Sequence, residues 1–270
     1  MEDRRHFLKI AGLFGLSLTA RPVLNALAAE GAHGSQAATH RGEHALLAKQ
    51  WAMVIDTRRF HSAEDLEPLI EVCHSIHNVP KLENKRHEIK WLWETEYKHA
   101  FPGLATEFAA EDVKHRPFLV LCNHCENPPC CRACPTKATF KRESDGIVIM
   151  DFHRCIGCRF CMAACPFGAR SFNWGDPLKA PKALNPDFPT NPAYPRRSKG
   201  VVEKCTFCAE RIAQGKIPAC VEAANKVKKG ALIFGDLEDR GSEIREILHS
   251  HYSIRRKPEL GTGPNIYYII

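Results

Sequence analysis

Thirteen cysteines in 270 residues are more than an ordinary globular chain carries, and eleven of them lie between Cys122 and Cys208. Cys122, Cys125, Cys130 and Cys134 are spaced C-x2-C-x4-C-x3-C and followed by Pro135. Cys155, Cys158, Cys161 and Cys165 are spaced C-x2-C-x2-C-x3-C and followed by Pro166, a run that binds 4Fe–4S cubes. Three closely spaced thiolates on a tight loop wrap one corner of a cube, and the small Gly157 lets backbone amides approach the sulphurs. The fourth cysteine of such a run points away and ligates the other cluster. The two groups therefore serve each other. Cys122, Cys125 and Cys130 are expected to join Cys165, and Cys155, Cys158 and Cys161 to join Cys134.

A third group, Cys205-x2-Cys208-x11-Cys220, holds three corners of one further cube, but Ala224 stands where its fourth cysteine belongs. Its partner group is sought upstream. The segment Ile55-Asp56-Thr57-Arg58-Arg59 leads to the place of a first cysteine, and Phe60 stands there. The only cysteine before Cys122 is Cys73. Losing three ligands from one group and the fourth from its partner deletes one cluster completely. The remaining set of Cys205, Cys208, Cys220 and Cys73 completes another. Three clusters with four ligands each use twelve cysteines, and Cys131 is left as a non-ligand because the spacing singles out Cys130. The deleted site needs filling, with Phe60, Leu66, Leu69, Ile70, Val72 and Ala224 as the candidates.

Other cysteine chemistry fits less well. The groups are too crowded for a disulfide framework, and an odd cysteine count breaks the pairing. Interlocked groups with Cys-Pro endings are not zinc-ribbon spacing. His74, His77, His124 and His153 read as hydrogen-bond donors or surface residues, since no slot in the first two groups is empty.

The elements that must position these loops are short. Ala52 to Thr57, Ile147 to Asp151 and Ala231 to Asp236 read as strands bounded by turn residues. Ser242 to His251 reads as a helix with Ile244, Ile247 and Leu248 on one face. Apolar Ile266 to Ile270 is expected to be tied down. Residues 81–116 form an aromatic insert carrying Trp91, Trp93, Tyr97 and Phe101. Residues 177–199 form a proline-rich loop. Both are candidates for docking surfaces or for covers over the clusters.

Asp3-Arg4-Arg5-His6-Phe7-Leu8-Lys9, the apolar run Ile10 to Ala20 and Ala26-Leu27-Ala28 read in order as a twin-arginine signal peptide over residues 1–28. That route carries folded proteins, which suits a cofactor assembled before export. The signal's four cations and two acids carry +2 of the formal +7, which leaves +5, a mild balance that argues for solubility and against nucleic acid. No second apolar stretch is long enough for a membrane anchor.

The cysteine groups, over about residues 51–236, resemble the four-group ferredoxin-like subunits of membrane-linked and molybdopterin oxidoreductases. The resemblance implies an α+β fold of two nested ferredoxin-like 4Fe–4S modules with loop insertions and a C-terminal extension. A linker at 29–50 would precede an outer module of 51–80 with 200–236, one of whose clusters is lost. The inner two-cluster module would be 117–176, and the extension 237–270. Within that superfamily the stretches Met53 to Arg58, Cys73 to Pro80, His87 to Trp93, His99 to Gly103 and Gly261 to Tyr268 resemble the DsrO-like periplasmic iron–sulphur subunits of the Dsr (DsrMKJOP) transmembrane complex. That resemblance implies a quinone-interacting integral membrane subunit and a multihaem cytochrome c as partners, membrane association only through those partners, and electron flow linked to sulphur metabolism. The alternative is the electron-transfer subunit of a periplasmic molybdopterin oxidoreductase or nitrite-reductase system. Neither reading asks a side chain for acid–base catalysis.

Overall fold

A computed structural model describes residues 43–177 and 190–270. The expected signal peptide, most of the linker and the middle of the proline-rich loop lie outside these residues. The chain forms small sheets and short helices around cysteine-bearing loops. The main sheet is built from β1 (Trp51–Asp56), β8 (Leu232–Asp236), β9 (Ser253–Ile254) and β10 (Ile266–Ile269), in the order β8-β1-β10-β9. β1 runs antiparallel to β8, with Val54 opposite Ile233, and parallel to β10, with Val54 opposite Tyr267.

Every residue of β1 is buried, because both faces of the strand are covered. Successive side chains of a strand point to opposite faces. Met53 and Ile55 join the main core with Phe60, Leu69 and Cys73. Ala52 and Val54 pack on the other side with Ile244 of the helix Glu243–Ser250. The strands at 51–56 and 232–236, the helix, and the apolar C-terminus thus lie where the sequence places them. The C-terminal stretch is a structural strand between β1 and β9, not an appendage.

Three two-stranded ribbons carry the rest. β2 (Leu92–Glu96) pairs antiparallel with β3 (Pro117–Leu121), which leads into Cys122. β4 (Thr139–Lys141) and β5 (Val148–Met150) form a ribbon between the first two cysteine groups. β6 (Ser171–Phe172) pairs with β7 (Val202–Glu203), just ahead of Cys205. Trp91 and Phe101 of the aromatic insert are fully buried, so these two rings belong to the core and present no docking surface.

A buried ion pair locks the segment before the third cysteine group. Arg197 and Glu203 meet at 2.7 Å with side chains 1% and 0% exposed. Glu203 also accepts from Trp91 Nε1 at 2.7 Å and from Asn173, while Arg197 donates to the carbonyls of His77 and Asn78. Breaking such a pair leaves a buried charge bare and costs about 3–5 kcal/mol. The pair therefore holds the chain next to Cys205 against the loop that follows Cys73.

Most of the side chains expected to fill a deleted site pack together. Phe60, Leu66, Leu69 and Ala224 are all at most 1% exposed and share one core with Cys73 and Cys220. Ile70 packs against that core, whereas Val72 is only half-buried and lies outside it. The helix α1 (Glu67–Ile76) points Leu69 and Cys73 inward because they lie four residues apart, one helical turn. Val72 falls off that face, which corrects its expected role as a filler. Lys228 caps the plug, 6.0 Å from the Phe60 ring and 2.6 Å from Asp65. Phe60→Ala should lower stability by about 3–5 kcal/mol and Val72→Ala by about 1 kcal/mol or less, read as anaerobic denaturant midpoints. Equal losses would show that Phe60 fills no special space.

Candidate metal centres

The cysteine loops are held in unusual backbone conformations by packing. In the second group Gly157 has φ +72°, and a Cβ there would meet the Gly200 carbonyl oxygen at 2.3 Å. Arg159 (φ 63°) then turns the chain into the short helix Phe160–Ala164, which carries Cys161. In the first group His124 has φ 42° and its ring stacks on Phe207 at 3.7 Å. Val148 N–H donates to His124 Nδ1 at 3.1 Å, and Asn265 donates to its carbonyl at 2.7 Å. In the third group Phe207 and Cys208 both have positive φ. These left-handed residues cost local strain, and the surrounding contacts keep them in place.

Cys122, Cys125, Cys130 and Cys165 line one cavity. Burial first, and then Cys122, push the Cys125 thiol up to about 12, with Cys130 and Cys165 adding to the effect. Cys73, Cys205, Cys208 and Cys220 form a second group. Burial raises the Cys73 thiol far above its usual range, and the other three thiols raise it further. Burial also pushes Cys220 up to about 11. Cys134, Cys155 and Cys161 gather at a smaller apolar cluster together with Cys130. Cys158 is half-buried on the same loop as Cys155.

Cys130 packs with Cys155 and Cys161 in the smaller cluster, while Cys122 and Cys125 share the main core with Cys73, Cys205 and Cys220. The set of Cys122, Cys125, Cys130 and Cys165 therefore adjoins both others. All thirteen cysteines are free thiols, so no disulfide competes for them. Cys131 is half-buried, and its thiol beside Cys130 holds Cys130 low while Cys131 itself is raised.

The surroundings suit a thiolate-ligated cluster. Backbone N–H groups point at the sulphurs: Val202 to Cys155 at 3.5 Å, Phe207 to Cys205 at 3.4 Å and Ala219 to Cys208 at 3.5 Å. Such bonds favour the anionic sulphur and tune cluster potentials. Burial raises thiols such as Cys73, Cys205 and Cys208, and a metal that binds there must displace their protons. When bound, the clusters supply one-electron chemistry, while the protein supplies position and field.

Residues 114–182 match the family model of a 4Fe–4S dicluster domain. The chain is 41% identical over 237 residues to the Hdr-like menaquinol oxidoreductase iron–sulphur subunit 1 of Archaeoglobus fulgidus, covering 82% of this chain and 83% of that one. The chain belongs to the family of ferredoxin-type iron–sulphur subunits of Hdr-like menaquinol oxidoreductase and related reductase complexes. It is also 35% identical over 241 residues to the menaquinone reductase iron–sulphur cluster-binding subunit of Nitratidesulfovibrio vulgaris, covering 82% of this chain and 88% of that one. Its identity to a selenate reductase subunit of Mesobacillus selenatarsenatis is 35% over 230 residues, 82% of this chain and 72% of that one. This family membership makes it a 4Fe–4S electron-transfer subunit. No described helix is long and apolar enough to cross a membrane.

Several residues around the thiols gave no signal in the spacing. His77 is buried, with Nδ1 2.8 Å from the Cys73 carbonyl and 3.7 Å from its sulphur, and Nε2 2.9 Å from Glu210. Arg170 and Lys204 are buried cations against the cysteines. Only their position within apolar strand-like runs hinted at a special role. Cys131→Ala should keep the full iron complement, whereas Cys130→Ala should lose about four irons per chain, measured on anaerobically purified protein. Equal iron loss in both variants would reverse the choice of ligand.

Proposed function

We propose that this chain is a periplasmic relay carrying three 4Fe–4S clusters. One is held by Cys122, Cys125, Cys130 and Cys165, one by Cys155, Cys158, Cys161 and Cys134, and one by Cys205, Cys208, Cys220 and Cys73. The observation that supports this reading is the apolar core in which Phe60 and Ala224 pack with Cys73 and Cys220, where a fourth cluster would otherwise need its ligands. Electrons hop from cluster to cluster, and no catalytic side chain is required.

The relay would pass electrons between a quinone-interacting integral membrane subunit and a multihaem cytochrome c, in dissimilatory sulphur metabolism. The menaquinol oxidoreductase and menaquinone reductase subunits among its relatives support the quinone side of this reading. The twin-arginine signature supports export. The loop of the second cysteine group favours an exchange point there. Ile156, Phe160 and Trp174 are 68%, 60% and 42% exposed beside half-buried Cys155 and Cys158. Arg159 lies 4.8 Å from the Trp174 ring and 5.3 Å from the Phe172 ring, which orders this surface. A second reading, the electron-transfer subunit of a periplasmic molybdopterin oxidoreductase, draws support from the selenate reductase relative.

Anaerobic affinity purification from membranes tests the choice. The main reading predicts recovery of a quinone-reactive membrane subunit and a multihaem cytochrome, and cytoplasmic retention of an Arg4→Lys, Arg5→Lys variant. Recovery of a molybdopterin subunit instead would favour the second reading. Export of the double-lysine variant at the wild-type level would remove the twin-arginine route.

A further inference from the structure

Two cations are buried in the cysteine row without an acidic partner. Arg170 is 5% exposed and Lys204 is 0% exposed. Arg170 donates to Thr139 Oγ1 at 2.7 Å and to Met150 Sδ at 3.8 Å, and it lines the cavity of Cys122, Cys125, Cys130 and Cys165. Met150 packs with Cys130 and Cys161, which belong to neighbouring quartets. Lys204 donates to the carbonyl of Cys205 at 2.6 Å and to the carbonyl of Val148. Val148 lines the cavity of the middle quartet, and Cys205 belongs to the next.

Neither cation pairs with a carboxylate among the described residues. The nearest acid in sequence, Glu203, is already committed to Arg197, Trp91 and Asn173. An unpaired charge is expensive in a protein interior, so a buried cation implies a buried counter-charge. The only anions these two face are cysteine sulphurs, and a cube held by four thiolates is negative in either oxidation state.

We propose that Arg170 and Lys204 are the counter-ions of the cluster row and make the middle cluster, flanked by both, the one of highest potential. This inference rests on the three-cluster reading above. Reduction adds one electron to a cluster and breaks no bond, so it adds one negative charge at fixed geometry. A cation at contact distance favours that added charge, and low polarity around it strengthens the effect. Arg170 acts on the middle cluster and the one at Cys161. Lys204 acts on the middle cluster and the one at Cys205. Only the middle cluster feels both. It is the site where an electron entering from either end comes to rest, and both outer clusters lie uphill from it.

The experiment is a redox titration of the purified, cluster-loaded full chain, followed by electron paramagnetic resonance, with iron measured on the same samples. The variants are Arg170→Gln, Arg170→Lys, Lys204→Met and Lys204→Arg. In Arg170→Gln and in Lys204→Met the reduction equilibrium of the highest-potential cluster should fall at least tenfold, about 59 mV for one electron. Each of these variants should shift one other cluster, and not the same one. The charge-conserving variants should leave the equilibria within about threefold, which a merely structural role in packing would not predict. Should Arg170→Gln lose iron, Lys204→Met reads the middle cluster independently. Unmoved potentials in iron-replete Lys204→Met and Arg170→Gln would overturn the proposal, as would equal shifts in the charge-conserving variants. A wild-type iron content far from about twelve per chain would instead overturn the three-cluster reading itself.

Discussion

The structure depends on the exchange of a fourth cysteine between loops far apart in sequence. Cys165 reaches the loop of Cys122 and Cys125, and Cys73 reaches the loop of Cys205, Cys208 and Cys220. In the proposed ligation each cube becomes a cross-link between distant segments. Closing loops of this length is entropically costly, and a covalent or metal link offsets that cost. The short strands and helices of this chain need not bring the loops together unaided. They need only hold each thiol within reach, which a handful of ribbons, left-handed residues and one buried ion pair accomplish.

In the proposed reading the same constraint lets a four-group pattern drop one site cleanly. A cube draws three thiolates from one group and one from another, so deleting a cube removes ligands from two places in the sequence. Phe60 and Ala224 lie far apart in the chain but in one apolar core. The surviving half-groups, with Cys73 on α1 and Cys220 on the helix Ala219–Val227, face each other across that core. On that reading hydrophobic packing replaces ligation at the end that lost its cube, where Lys228 pairs with Asp65 beside the Phe60 ring.

Much of this was legible in the sequence because metal ligation is a local code. Spacing alone pairs Cys125 with Cys165, and the strands at Ala52, Ile147 and Ala231 follow from their β-branched runs. Legibility ended where tertiary packing decides. Val72 has the composition of a filler but lies off the inward face of its helix. The aromatic stretch around Trp91 reads as an amphipathic insert, yet its largest ring is buried against His77 and Arg197. Arg170 and Lys204 left the least trace, since a charge in the sequence says nothing about whether water reaches it. Burial, a property of the folded whole, turns those two ordinary side chains into the dominant local charges.

The most direct test is to locate iron by anomalous scattering from crystals of anaerobically purified protein. Three compact iron sites in a row are predicted, with the middle one against Cys122 and Cys165 and one end against Cys73. A fourth site beside Phe60 and Ala224, or no iron near Cys73, would contradict the account.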